Sequence, residues 1–215
     1  MEIELAGEKL LLSENKIIYW PKQQSVFIAD LHLGKTTHFR KSGIAVPMAI
    51  IKTEIDRIEN IITKYHPKRI YFLGDLFHSD LNHEWDIFND FLNLHSTLEF
   101  ILIKGNHDIL SDKTYKLSQL KIEKEPFQLT PFILTHHPLK KEEVNENELN
   151  LCGHLHPGIS IKGKGRSYLS LPCFYLEKNI MILPAFGRFT GLAKIKPKKD
   201  SRAYVVLNDS VNKIG

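Results

Sequence analysis

Side chains that can bind metal ions are concentrated in five short segments of the sequence. These are Asp30-Leu31-His32, Gly74-Asp75, Gly105-Asn106-His107-Asp108, His136-His137 and Gly153-His154-Leu155-His156. Carboxylate and amide oxygens combined with imidazole nitrogens suit manganese, iron or zinc better than calcium or magnesium alone. Because one aspartate among neutral ligands can bridge two cations, the segments predict a dinuclear centre that catalyses hydrolysis.

The spacing within the segments favours ligands of two neighbouring cations. Asp30 and His32 are two residues apart, so both side chains can face one cation. His154 and His156 have the same spacing, and each could bind one of two metals. Asp75 follows a glycine, which leaves its carboxylate accessible to both. Two cations about 3.5–4 Å apart can hold a hydroxide and clamp the attacking and leaving oxygens of a displacement at phosphorus.

His107 is the candidate proton donor of such a reaction, and Asn106 beside it offers a carbonyl oxygen as a ligand. Metal coordination lowers the pKa of water from about 16 toward neutrality, so a separate general base is not required. The leaving alkoxide still needs a proton, which a positioned histidine can supply. The histidines without a partner motif are interpreted as surface or structural residues: His38, His66, His83 and His95.

Each of the five segments directly follows a predicted strand. Apolar stretches at residues 24–29, 69–73, 99–103, 131–135 and 148–151 end at the segments. Loops that follow strands cluster at one edge of a layered α/β fold. We therefore expect the candidate ligands to converge on a single site.

The rest of the pattern predicts a hairpin, helices and C-terminal strands. Residues 9–12 and 16–20 flank a turn and form the hairpin. A helix is predicted from Pro47 to residue 65, because apolar residues recur every three or four positions, and a second helix follows Ser79 as its N-cap. A short helix is expected near residues 111–120, and strands are expected at 168–171, 173–176, 180–183 and 203–207.

Length and composition predict one domain spanning residues 1–215 with a sizeable core, since 42% of the residues are hydrophobic. We expect a cytoplasmic protein without membrane contact, because no apolar stretch reaches the roughly 20 residues of a membrane span and a signal-peptide pattern is lacking. Cys152 and Cys173 lie in apolar sequence and are expected to be buried thiols. The net charge of +4 permits nucleic-acid binding without requiring it.

The five segments resemble the full signature of the calcineurin-like metallophosphoesterases. The resemblance implies a layered α/β fold of four layers, in which helices flank a β-sandwich and a dinuclear centre lies at its edge. It assigns one cation to Asp30, His32, Asp75 and His156, and the other to Asp75, Asn106, His136 and His154. His137 would then lie behind the ligands or face the substrate.

One departure from the family pattern argues against a protein phosphatase. In the phosphoprotein phosphatases of this superfamily, the second motif continues to an aspartate that orients the catalytic histidine and an arginine that grips phosphate. His78 and Ser79 stand at those positions here. The resemblance leaves open whether Asp108 or His78 orients His107.

A narrower resemblance, to the DNA-ligase-associated metallophosphoesterases, covers nearly the whole chain. It rests on Asp30-Leu31-His32-Leu33-Gly34-Lys35, Phe39-Arg40, Gly43, Pro47, residues 74–79, Trp85, Pro172-Cys173-Phe174 and residues 183–191. Members of that group are described as DNA damage response endonucleases or phosphodiesterases associated with a ligase and a helicase. The resemblance implies a DNA substrate and two divalent cations, with manganese ahead of iron and zinc.

Three functions follow from these observations. The leading one is a manganese-dependent phosphodiesterase or nuclease acting on DNA, with Lys35, Arg40 and Arg188 contacting phosphates beside the scissile one. The second keeps the chemistry but acts on a small phosphodiester or pyrophosphate, such as a nucleotide or a lipid-linked sugar. The third is a non-catalytic scaffold, which is disfavoured because all seven ligands and His107 are retained. A dimer through the C-terminal strands is left open.

Overall fold

Two β-sheets packed face to face form the centre of the protein. The computed structural model describes residues 1–34, 49–77, 82–162, 168–188 and 190–214. Within these residues the first sheet has seven strands, which lie side by side in chain order. They are β1 (Glu2–Leu5), β2 (Glu8–Leu12), β3 (Ile18–Trp20), β4 (Ser25–Ile28), β5 (Arg69–Leu73), β6 (Glu99–Ile103) and β7 (Leu120–Glu123). The first four pair antiparallel, and β4 to β7 are parallel.

The second sheet has nine strands in the described part of the chain. They are β8 (Phe127–Leu129), β9 (Phe132–Leu134), β10 (Leu149–Cys152), β11 (Pro157–Lys162), β12 (Tyr168–Glu177), β13 (Ile180–Ile182), β14 (Ala193–Lys194), β15 (Ser201–Val206) and β16 (Val211–Ile214). Their order is β14-β11-β12-β13-β10-β9-β8, and β15 joins β12 to β16. The neighbours β9, β10 and β13 are parallel.

In the described part of the chain, three α-helices pack on the outer face of the first sheet: α1 (Ala49–Tyr65), α2 (His83–Leu94) and α3 (Asp112–Lys116). Ile55 and Ile58 of α1 are buried against the sheet, because their spacing places them on the same face of the helix. The N-cap of α2 is Asn82, whose side chain accepts a hydrogen bond from the main chain of Glu84 at 2.8 Å. Ser79, the predicted cap, lies outside the described residues.

The central parallel strands are buried on both faces. In β4, Val26 and Ile28 pack toward the helices, whereas Phe27 packs toward the second sheet. Successive side chains point to opposite faces, and both faces are buried, so the sequence of such strands is almost continuously apolar. A third apolar cluster, which includes Cys152 and Cys173, covers the outer side of the second sheet.

The predicted fold class is confirmed, because two large sheets and flanking helices form the layers of an α/β sandwich. Within the described residues, the outer side of the second sheet is covered by loops and a 3₁₀ turn (Lys141–Glu143) rather than by an α-helix. None of the described helices is long and apolar enough to cross a membrane.

The secondary-structure prediction was wrong at Pro172, which lies inside β12. Two strands were predicted on either side of Pro172, but one strand runs through it. Pro172 is the last residue paired with β11, and the next residue, Cys173, begins the pairing with β15. The strand changes partner at the proline, where a missing N–H is tolerated.

Candidate metal centre

The candidate ligands lie at the ends of parallel strands in both sheets. Asp30, Asp75 and Asn106 follow β4, β5 and β6, which are neighbours in the first sheet. His136 follows β9 and His154 follows β10, which are parallel neighbours in the second sheet. Because the carboxyl ends of parallel strands meet at one edge, the two sheets bring their loops together there.

Five of the seven candidate ligands have a left-handed backbone, which non-glycine residues rarely adopt. The φ angles of Asp30, His32, Asp75, His154 and His156 are 53°, 51°, 50°, 70° and 46°. Each such conformation costs about 1–2 kcal/mol relative to the right-handed region. The sharp turns keep the ligand side chains directed at one another, so the surrounding packing has to hold this strain.

The first group of donor atoms surrounds His156. Its Nε2 lies 3.4 Å from Oδ1 of Asp30 and 3.4 Å from Nε2 of His32. Nε2 of His32 in turn lies 3.7 Å from Oδ2 of Asp75. Asp30 and Asp75 are fully buried. These four side chains are the ones predicted for one cation.

The second group surrounds His136. Its Nε2 lies 2.9 Å from Oδ1 of Asn106, 3.0 Å from Nδ1 of His154 and 3.4 Å from Oδ1 of Asp75. Asp75 therefore presents Oδ2 to the first group and Oδ1 to the second. This arrangement is the one expected of a bridging carboxylate.

The donor sets fit a pair of divalent cations. Donor atoms that share one cation at about 2.1 Å lie roughly 3.0–3.5 Å apart, which is close to the spacings within each group. Asp30 and Asp75 are buried close together, and divalent cations would offset their negative charges. Asp30, His32 and His156 also form a compact triad of potential ligands, as do His136, His137 and His154.

Hydrogen bonds from outside the groups determine which imidazole nitrogen faces inward. Nδ1 of His156 lies 2.8 Å from the carbonyl oxygen of Thr190, and Nδ1 of His136 lies 3.1 Å from that of Leu73. With Nδ1–H donating to these carbonyls, Nε2 of both rings carries the lone pair that can bind a metal. Burial and the neighbouring His136 lower the pKa of His154, which favours the neutral form that binds metal.

Glycines make room for the ligands. A Cβ atom at Gly105 would lie 2.5 Å from Oδ1 of Asp75, and one at Gly153 would lie 2.5 Å from Oδ2 of Asp30. A Cβ atom at Gly74 would approach the ring of His136 even more closely. The glycine in each motif thus permits the approach of a ligand from a neighbouring loop.

Asp108 holds the loops of β5 and β6 together. Its Oδ1 accepts hydrogen bonds from the main chain of Leu76 and Phe77 at 2.9 and 3.1 Å, and its Oδ2 accepts one from Gly105 at 2.8 Å. Burial raises the pKa of this carboxyl to about 6, against the opposing effect of the N–H donors. Asp108 is thus bound to main-chain groups, and His78, the other residue considered for orienting His107, lies outside the described residues.

Glu125 was not singled out from the sequence, although it holds the loop after β9. Its Oε2 accepts hydrogen bonds from the main chain of His136 at 2.6 Å and of His137 at 3.1 Å. Its Oε1 lies 2.9 Å from Nδ1 of His137. Glu125 is eleven residues before His136 and belongs to no recognisable motif, so only the fold reveals this contact.

His107 lies at the rim of the centre. Its main-chain N–H donates to Oδ1 of Asp75 at 3.0 Å, and its half-buried ring lies 5.9 Å from that of His32, measured between centroids. The ring of His137 lies 4.3 Å from that of His154, and 46% of the His137 side chain is exposed. Both are accessible to a substrate at the donor groups.

Of the three basic residues predicted to contact substrate, Arg188 is described, and Lys35 and Arg40 lie outside the described residues. The side chain of Arg188 is 56% exposed. The residue before it, Gly187, donates its N–H to the carbonyl oxygen of Asp30 at 3.1 Å. Arg188 therefore follows a residue that is hydrogen-bonded to the main chain of Asp30.

The family comparison agrees with this geometry. The model of the calcineurin-like phosphoesterase family matches residues 25–183, which include every candidate ligand. The chain belongs to the calcineurin-like phosphoesterase family and is a metal-dependent hydrolase of phosphoric esters. Enzymes of this family use divalent metal ions, and the donor groups described above are candidate sites for them.

The chain is similar over its full length to a nuclease of known structure. Nuclease MPE of Pseudomonas putida is 28% identical, with a TM-score of 0.81, over 100% of this chain and 99% of the other. The phosphoesterase Yfce of E. coli is 17% identical, with a TM-score of 0.47, over 88% of this chain and 97% of the other. A comparison with curated protein sequences gave no significant match.

Proposed function

We propose that this protein is a phosphodiesterase that cleaves phosphodiester bonds of DNA. The observation that carries the proposal is the position of Asp75, whose two oxygens face two separate sets of donor atoms. A nuclease that is 28% identical over the whole chain supports nucleic acid as the substrate.

We assign the ligands of the two cations from the donor groups. Asp30, His32, Asp75 and His156 hold the first cation, and Asp75, Asn106, His136 and His154 hold the second. Manganese is the proposed native metal, because mixed oxygen and imidazole donors suit it. When bound, the cations supply Lewis acidity at phosphorus and lower the pKa of water.

His107 donates the proton to the leaving oxygen in this proposal. The hydrogen bond from its main-chain N–H to Asp75 fixes His107 beside the shared ligand. Its half-buried ring lies at the rim of the centre. A group at that place can touch an ester oxygen without displacing a ligand. Proton donation of this kind contributes about 10²–10⁴-fold to the rate.

We further propose a role in DNA repair alongside a DNA ligase and a helicase. The support is the resemblance of residues 30–35, 74–79 and 183–191 to ligase-associated enzymes. Within this proposal residues 1–215 act as one domain, since the similar nuclease matches over their whole length. Two buried free thiols are in keeping with a reducing, cytoplasmic location.

A substrate panel with manganese tests the proposal. The purified protein is incubated with a bis-aryl phosphodiester, an aryl phosphomonoester, and single-stranded, nicked and duplex DNA. We expect cleavage of the diester and of DNA, with little turnover of the monoester. Hydrolysis of the monoester alone would contradict the nuclease assignment.

An Asp75→Asn variant tests the shared ligand. The substitution keeps the size of the side chain but removes the charge that faces both donor groups. We expect loss of the second cation in a metal titration and a fall in turnover of at least 10²-fold. Full activity in this variant would refute the dinuclear arrangement.

A further inference from the structure

A groove with an excess of positive charge lies beside the metal centre. It has a volume of about 290 Å³, and Lys16, Arg57 and Arg188 line it. Glu14 also lines it, but this carboxylate is paired with Nζ of Lys64 at 2.8 Å. The three lining cations are therefore not neutralised by Glu14.

One buried carboxylate lies beneath the three cations. Oε2 of Glu54 lies 2.5 Å from NH1 of Arg57, and Oε1 accepts the main-chain N–H of Arg188 at 3.2 Å. Among the described residues, and with Glu14 paired to Lys64, three positive side chains against the one buried carboxylate leave two positive charges in excess. Burial and the nearby Arg57 lower the pKa of Lys16 to about 8, as expected where positive charge is uncompensated.

The cations are held in place by the segment that also borders the metal centre. Nζ of Lys16 donates to the carbonyl oxygen of Ala185 at 3.0 Å, and NH1 of Arg57 donates to that of Phe186 at 2.9 Å. On its other side, Phe186 donates its N–H to the carbonyl oxygen of Ala29 at 2.9 Å, directly before the ligand Asp30. Residues 185–188 thus join the groove to the centre.

The donors of the groove are only partly used. Within the described residues, Lys16 makes one hydrogen bond through an ammonium group that has three N–H donors. In the same part of the chain, the side chain of Arg188 makes a loose contact, with its Nε 4.0 Å from Oε1 of Glu54. An ammonium and a guanidinium with unused donors at a partly enclosed surface are suited to a phosphate.

We propose that the groove binds a second phosphate of the substrate, the neighbour of the phosphate that is cleaved. The inference rests on the proposed function in that a nucleic-acid chain supplies such a neighbour. Lys16 and Arg188 contact the second phosphate, while Arg57 and Glu54 hold the segment that carries the site. A nucleotide chain that spans the metal centre and the groove would be positioned by its phosphates, without contacts to its bases.

Small esters that differ by one phosphate test the second site. The substrates are p-nitrophenyl thymidine 5′-phosphate with and without a 3′-phosphate, and p-nitrophenyl thymidine 3′-phosphate with and without a 5′-phosphate. For the manganese-loaded wild-type protein we expect the extra phosphate to raise kcat/KM about 10-fold in one of the two pairs. The pair that responds gives the direction in which the chain lies.

The ratio of kcat/KM within the responding pair is then compared among variants. Arg188→Gln and Lys16→Met remove a charge but keep most of the side-chain volume, and both should reduce the ratio to about 1–2. Arg188 is exposed, so its variant is informative even if Lys16→Met does not fold. Arg69→Gln is the matched control, since Arg69 begins β5 at the opposite end from Asp75, and it should keep the wild-type ratio.

The outcomes separate this inference from the proposed function. A ratio of one in the wild-type protein, or an unchanged ratio in both groove variants, would overturn the second phosphate site. The wild-type protein could instead show the raised ratio, and lose it in the groove variants, yet fail to cleave DNA. That result would support the second phosphate site but refute DNA as the substrate. A larger ratio at low salt than at high salt supports it further.

Discussion

A Cβ atom at Gly74 would clash with Nδ1 of His136, so the loop after β5 and this candidate ligand from the second sheet meet with no room for a side chain. Gly74 also has a φ of +76°. Gly74→Ala should therefore displace His136 and reduce turnover by about 10²-fold or more, since a shift near 1 Å suffices for that loss. Metal titration and steady-state kinetics measure both effects.

Gly7 is the matched control for this substitution. Its φ is +73°, but a Cβ atom there would meet nothing within 4 Å. Gly7→Ala should destabilise the fold by about 1–2 kcal/mol through backbone strain alone and leave turnover intact. If both variants lose activity equally, strain rather than the contact with His136 is responsible.

Replacement of His107 should separate catalysis from metal binding. His107→Ala removes the ring but keeps the main-chain N–H that donates to Asp75. We expect two cations to remain bound and turnover to fall by about 10²–10⁴-fold, the contribution of a positioned acid. Turnover of a substrate with an aryl leaving group should fall less, because an aryl oxide leaves with little need for a proton. Loss of a cation from this variant would show that His107 has been misassigned.

Removal of divalent metal should destabilise the protein. Asp30 and Asp75 are fully buried close together, and a cation offsets their repulsion. A cation at 100 times its dissociation constant stabilises the folded state by about 3 kcal/mol, and for a protein of this size that raises Tm by roughly 5–10 °C. Thermal unfolding with chelator and with manganese measures the shift. An unchanged Tm would argue against a metal site built from buried groups.

Both thiols should be unreactive in the folded protein. Burial raises the pKa of Cys173 to about 12, and burial together with the charge of Asp30 raises the pKa of Cys152 well above its usual value. At pH 8 neither forms the thiolate that attacks a disulfide reagent. We expect no rapid labelling of the native chain and two equivalents after denaturation, matching its two cysteines. Labelling of one thiol under native conditions would reveal local opening of the second sheet.

The sequence was informative where local chemistry decides the structure. The bounds of β5 and β6 agree with the prediction residue for residue, because a continuous apolar run ends at Gly74 in one case and before Gly105 in the other. The convergence of the five motif segments also follows from their positions after strands. The roles of the individual ligands remain predictions, although their donor atoms lie in the expected two groups.

Contacts between distant main-chain and side-chain groups could not be predicted. Glu125 supports His136 through an N–H group, and Thr190 accepts from His156 through a carbonyl. Main-chain groups are present at every residue, so no pattern marks those that matter. Asp108 shows the same limit, since its place in the motif did not indicate that its oxygens accept three main-chain N–H groups.

The donor groups draw their members from both sheets, so the distance between the sheets sets the distance between ligands. Phe27 of the first sheet packs against Phe132 of the second, with ring centroids 6.0 Å apart. Catalytic competence is therefore a property of how two sheets dock, and not only of the loops that carry the chemistry. Conservative changes in the interior, far from any substrate, would tune the affinity for metal, and metal would in turn report on the integrity of that interior.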